Sequence, residues 1–183
     1  MNVLNSTLIL LVAFLAVFLE ASVGGLRHWL GAQIDLLPAL MVYASLSAGL
    51  TTVTVVSVLA GLAFDTLSAN PLGISIMPLF LVGCAIHLRR GLILREQVFA
   101  QFVLGLLASA LAPVLGLLLL SLTRHAPALG WITVWQLLVM TLGGGLLTPV
   151  CFKVFDTLNY ALTYRPVVET SFRLDRQIKR GRK

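Results

Sequence analysis

A chain of 183 residues, 58% of them hydrophobic and only 11% charged, with a mean hydropathy of +0.98, is too poor in polar groups to cover a water-soluble domain, which carries about 25% charged residues. Lipid is therefore the expected solvent for most of it, and no hydrophilic stretch is large enough for a second domain. The net charge of +6 is concentrated in the tail, where Arg165 to Lys183 holds seven basic residues against Glu169 and Asp175; this excludes a basic nucleic-acid-binding domain and fits contact with membrane lipids through anionic headgroups.

A helix needs about 20 apolar residues to cross about 30 Å of hydrocarbon. Leu4 to Val23 is the first candidate, interrupted by Glu20 near its end. Its start, Met1 to Thr7, has no Lys or Arg, so a membrane span is expected there rather than a signal peptide. Leu36 to Phe64 follows, 29 residues without a charge. As one helix it would measure about 43 Å, which demands strong tilt. Two helices over 36–49 and 51–66, breaking near Gly49-Leu50-Thr51-Thr52, fit equally. Pro71 to Leu88, Val98 to Leu122 and Trp131 to Phe152 complete six spans, or five if the long stretch does not break.

The excess of Lys and Arg on cytoplasmic loops orients the spans. Six spans place Arg89, Arg90, Arg95, Lys153 and the seven tail residues inside, eleven in all, against Arg27 and Arg124 outside; five spans give twelve against one. Both models put the C-terminus in the cytoplasm, and the count does not choose between them. The chain thus reads as a transmembrane helical domain over 1–164 and a basic cytoplasmic tail over 165–183. Asn70-Pro71 reads as an N-cap followed by proline at the first helical position. Trp131 and Trp135 at one end of the last span, with Tyr160 and Tyr164 beyond the other, have the spacing of interfacial anchors. In the tail, Glu169 with Arg173 and Asp175 with Lys179 are acid-before-base pairs at i, i+4 that favour a short helix.

Ionisable groups inside lipid are costly and are functional candidates by default. Asp65 ends the stretch Leu59-Ala-Gly-Leu-Ala-Phe-Asp65. It is expected either to cap the turn into the next helix or to fix a hairpin or partner helix from a buried position. Glu20 is expected to snorkel to the interface or to pair with Arg27. Asp35 reads as an end-of-helix acid favoured by the dipole, and Asp156 as a solvated partner of Lys153 three residues before it.

No catalytic constellation accompanies these groups. His28, His87 and His125 fall at span edges or in loops, away from any intramembrane serine. There is no His-Glu-x-x-His pattern, no phosphate-binding glycine loop and no second intramembrane aspartate beside Asp65. Cys84 and Cys151 lie in apolar stretches and read as buried small hydrophobes. No catalytic, cofactor-binding or metal-binding residue is expected.

What remains is packing chemistry. Gly105, Ser109, Ala112 and Gly116 recur at i, i+4, i+7 and i+11 in the fifth span, one small-residue face that admits a close helix, from this chain or from a partner. Pro113 implies a kink there, and Gly143-Gly144-Gly145 with Pro149 implies a flexible or kinked last span.

Three segments together resemble the MreD family: Asp35-Leu-Leu-Pro-Ala-Leu-Met-Val-Tyr43, Gly61-x-x-x-Asp65 and Pro71-Leu-Gly73. In that pattern an acid and a proline open a span, a Gly-x-x-x-Asp ends the next, and a small turn with Pro-Leu-Gly starts another. The likeness covers about Asp35 to Arg90; beyond it the number of spans, an Arg-bearing loop after the fourth and a basic C-terminus agree. Two departures stand out: Asp35 and Pro38 are spaced where the family's pair is adjacent, and Glu169–Lys183 has no counterpart. The resemblance implies an all-α bundle similar to the substrate-binding membrane subunits of energy-coupling-factor vitamin transporters. It further implies a non-catalytic subunit of the bacterial cell-elongation (rod) complex in the cytoplasmic membrane. An MreC-like protein is then the closest partner, with the RodA polymerase, its class B penicillin-binding transpeptidase and MreB in the wider complex. Asp65, Gly61, Pro71, Gly73, Asp35, Pro38, Gly105 and Ser109 are the candidate partner-binding or structural residues. Arg173, Arg176, Lys179 and Arg180 are the candidates for lipid headgroups or a cytoplasmic partner. A membrane-embedded binding subunit of a small-molecule transporter is the alternative, and it requires a polar, aromatic-lined pocket.

Overall fold

The computed structural model describes residues 3–22, 34–68, 71–93, 95, 97–122 and 130–163. The described residues form six α-helices and no strand: α1 (Val3–Ser22), α2 (Leu37–Ser47), α3 (Leu50–Leu67), α4 (Ile76–Arg89), α5 (Val98–Leu122) and α6 (Trp131–Thr163), with a 3-10 turn over Arg90–Leu92. Three of them, α3, α5 and α6, are long and apolar enough to cross a membrane. The tail residues Arg173, Arg176, Lys179 and Arg180, its two acid–base pairs, Arg27, Asn70 and Tyr164 lie outside the described residues.

The long apolar stretch is two helices. Ala48 and Gly49 are extended, with ψ near 179° and 164°. The Gly49 carbonyl then accepts the N–H groups of Thr52 and Val53 to start α3. Two boundaries differ from the sequence reading. Pro71 does not open a helix, because residues 72–75 are folded into a turn and α4 begins at Ile76. Pro78 is the proline that sits in the first turn of α4, where its missing N–H has no intrahelical partner to lose. The last helix also runs eleven residues past Phe152, to Thr163, as a single α-helix through Pro149.

The core is built around α2. Its residues Leu37 to Ser45 are all buried, and it packs against each of the other five helices. A helix apolar on every side belongs inside. At eleven residues it is only about 16 Å long, so its end groups fall within the bundle and need partners there. Asp35 Oδ1 accepts the Leu37 N–H at 2.8 Å at one end. At the other, His87 Nδ1 lies 2.9 Å from the Ser45 carbonyl and Arg90 donates to the Ala48 carbonyl at 3.4 Å. The outer faces reverse the soluble pattern: Leu11, Phe14 and Phe18 on α1, Leu107, Leu111 and Leu118 on α5, and Leu142, Leu146 and Val150 on α6 are exposed.

Candidate functional site

Two ends of the bundle carry its polar chemistry. At one, the Gly61-x-x-x-Asp65 motif closes the α3–α4 hairpin. Asp65 is 1% exposed, and its Oδ2 accepts the backbone N–H groups of Gly73 at 2.8 Å and Ser75 at 3.2 Å. These are amides ahead of α4 that the helix itself cannot satisfy, so an acid on α3 caps the approach to α4. The wrap requires φ +93° at Gly73, a conformation that favours glycine. Gly61 stands one turn before Asp65, and a Cβ there would meet Ile76 Cα and Cγ1 at 3.0 Å; the missing side chain lets the start of α4 lie on α3. Asp65 Oδ1 has no hydrogen-bond partner among the described residues.

The small-residue face of α5 is spent on α6. A Cβ on Gly105 would collide with Thr148, and one on Gly144 with Ser109. Thr148 Oγ1 turns its hydrogen back to the Gly144 carbonyl at 2.8 Å, which keeps the hydroxyl satisfied in the seam. The contact continues through Gly145 against Phe102 and Leu106. At Gly116, on the same face, a Cβ would meet nothing within 4 Å among the described residues.

The opposite end is clamped. Asn159 Nδ2 on α6 donates to Asn5 Oδ1 on α1 at 2.9 Å and to Tyr43 Oη on α2 at 3.1 Å. Tyr43 stacks on Phe155 with centroids 4.3 Å apart and meets Phe152 edge-on at 5.0 Å. Arg95 lies over the Tyr43 ring at 5.8 Å and pairs with Asp156 at 3.0 Å; its carbonyl accepts Gln101 Nε2 at 2.7 Å. Asp156 is thus held by Arg95 across 61 residues, not by Lys153 as expected, because the α4–α5 connection brings a guanidinium to the side of α6. Ser6 with Thr52 at 2.9 Å ties α1 to α3 near the same end.

Opposite the clamp, a cavity of about 1050 Å³ opens at the Asp65 end. Its polar groups come from the helix ends: Glu20, Asp35, Ser68, Ser75, Thr133 and Gln136. Its deeper wall is aliphatic, with Val17, Leu79, Ala112 and Leu147 among the lining, and Phe64 is the one aromatic residue among the described lining residues. Burial pushes the Asp35 carboxyl up to about 6, against a smaller opposing effect of its bond to the Leu37 N–H.

The chain matches no family model, no curated protein and no solved structure. Its candidate residues are therefore judged on geometry. Asp65, Gly61 and Gly73 come together in one turn, with Pro71 at its start. Asp35 and Pro38 build the first turn of α2, and Gly105 and Ser109 build the α5–α6 seam. Sequence reasoning missed the Asn5–Asn159–Tyr43 clamp. The available signal was an asparagine near the end of each of two long helices, where an amide favours a partner from a neighbouring helix.

Proposed function

We propose that this protein is a non-catalytic scaffold subunit of the bacterial cell-elongation complex. In this reading it is a multi-pass protein of the cytoplasmic membrane with its C-terminus inside. It supports peptidoglycan synthesis and cell shape by binding an MreC-like protein as its closest partner, with the RodA polymerase, the class B penicillin-binding transpeptidase and MreB in the wider complex. The observation that carries this reading is that the motif residues Gly61, Asp65 and Gly73 are all consumed in shaping one helical hairpin. A polar motif spent on backbone amides, in a bundle whose outer faces are apolar, supports recognition by helix packing.

The test is affinity purification in mild detergent followed by mass spectrometry. Stoichiometric recovery of an MreC-like protein is the expected result. Recovery of an ATPase transporter module with no wall-synthesis protein would overturn it and favour the second reading, a small-molecule transporter subunit. The 1050 Å³ cavity supports that alternative, but Phe64 as the single aromatic among its described lining residues argues against a site for a planar, polar ligand such as a vitamin.

A further inference from the structure

We propose that the connection between α4 and α5 is a docking surface for anionic phospholipid, with Arg89 and Arg90 on the lipid phosphate and Leu88, Leu92 and Phe99 against the acyl chains. This rests on the membrane part of the proposed reading and not on the scaffold part. Turns that face water are polar. This one carries apolar side chains that are among the most exposed of the described residues: Leu88 is 74% exposed, Leu92 77% and Phe99 76%. Apolar groups gathered at a surface and rimmed by charge mark a protein or a membrane contact. Their level in the bundle decides which. Arg90–Leu92 is the 3-10 turn that ends α4, and Val98 opens α5. Helix α5 is long and apolar enough to cross a membrane, so its first turn stands where hydrocarbon meets headgroups. Apolar groups at that level touch acyl chains by position, and long cationic side chains beside them reach the phosphates.

Charge then selects the lipid. Arg95 is engaged within the protein, over the Tyr43 ring and paired with Asp156. Asp156 is the one acid at this end among the described residues, and no described residue pairs with Arg89. Arg90 spends one donor on the Ala48 carbonyl at 3.4 Å. That bond ties the turn to the α2–α3 junction and leaves the rest of its five N–H groups available. Two adjacent guanidiniums, one of them held in place, suit bidentate bonds to phosphate oxygens. A zwitterionic lipid offers the same phosphate with its own cation beside it, so an anionic one is favoured. The turn also lies at the end where α6 finishes. In the proposed topology that is the cytoplasmic end, facing the leaflet whose surface is negative.

The experiment uses the full chain, delipidated in detergent and offered phosphatidylglycerol and phosphatidylethanolamine with identical acyl chains, with bound lipid read by native mass spectrometry. Phosphatidylglycerol should be the lipid retained. Arg89→Gln should cut that preference about fivefold, and Arg90→Gln about fivefold again. Arg89→Lys keeps the charge and should keep most of the preference. Replacing Arg173, Arg176, Lys179 and Arg180 by glutamine separates this surface from the basic tail and should leave the Arg89-dependent part unchanged. The unfolding midpoint checks that each variant is folded. A photocrosslinker placed at Leu92 should label phospholipid in native membranes. Equal retention of the two lipids, a preference untouched by Arg89→Gln and Arg90→Gln, or labelling of a protein in place of lipid from position 92 would each overturn the assignment. A chain that stays in solution without detergent would remove the membrane reading as well, whereas an embedded chain without lipid preference removes this inference alone.

Discussion

Asp65 shows how much one carboxylate organises. Its Oδ2 holds two amides that no helix can serve, from a side chain that is itself buried. Asp65→Ala leaves both amides without that acceptor and should cost about 2–4 kcal/mol, from ~1–3 kcal/mol per unsatisfied buried group. Asp65→Asn retains an acceptor oxygen and should lose roughly 1 kcal/mol. Unfolding in detergent measures both, and an alanine variant as stable as the parent would refute this role. Asp35 has a different signature. Its carboxyl is raised from 3.8 to about 6 by burial, so the folded state binds the proton more tightly than the unfolded chain. Its contribution to stability is therefore fully present below pH 4, falls as pH rises to about 6, and is flat above. A stability-against-pH profile should show this slope, and Asp35→Asn should remove it, leaving only what Glu20 and the other acids contribute.

At the scale of elements, glycine decides how closely α5 and α6 approach. Gly144 and Gly105 lie in a seam with no room for a Cβ, whereas a Cβ on Gly116, on the same face of α5, meets no described atom within 4 Å. Gly144→Leu should cost about 3 kcal/mol, at the upper end of overpacking penalties, because the obstruction includes the Ser109 side chain on a tightly packed helix. Gly116→Leu should be nearly neutral. Comparing thermal midpoints of the two variants checks the seam: equal effects would mean that the helices do not meet as described. The small-residue face was legible in the sequence, since its spacing is a helical repeat. Its partner was not, because α6 has a glycine run of three and only the crossing geometry selects Gly144 and Gly145 for α5.

At the scale of the whole molecule, the described helices are tied together at the end where α1 starts and α6 finishes. The groups that tie them are the Asn5–Asn159–Tyr43 bonds and the aromatic stack beneath them. The Arg95–Asp156 pair adds little by itself, since its side chains are 42% and 56% exposed and exposed pairs contribute about 0.2–1 kcal/mol. Because Asn5 and Asn159 bond to each other, the start of α1 and the end of α6 lie at the same end. Reporters fused to the two termini should therefore give the same sidedness in a cell, and opposite signals would contradict the clamp.

Composition and run length by themselves determined the helical class and the positions of the apolar segments, because hydrophobic length is a property of contiguous residues. A charge count left five against six spans open, since it registers only the side on which a loop falls. Tertiary structure divided the long apolar stretch into two helices at the extended Ala48–Gly49 step and surrounded α2 with five neighbours. It alone also decided that Asp156 answers to Arg95, that α4 starts at Ile76, and that a cavity lies at the Asp65 end. Each of these depends on residues tens of positions apart meeting in space, and helix packing sets those meetings through side-chain volume and crossing geometry that periodicity along one helix does not encode.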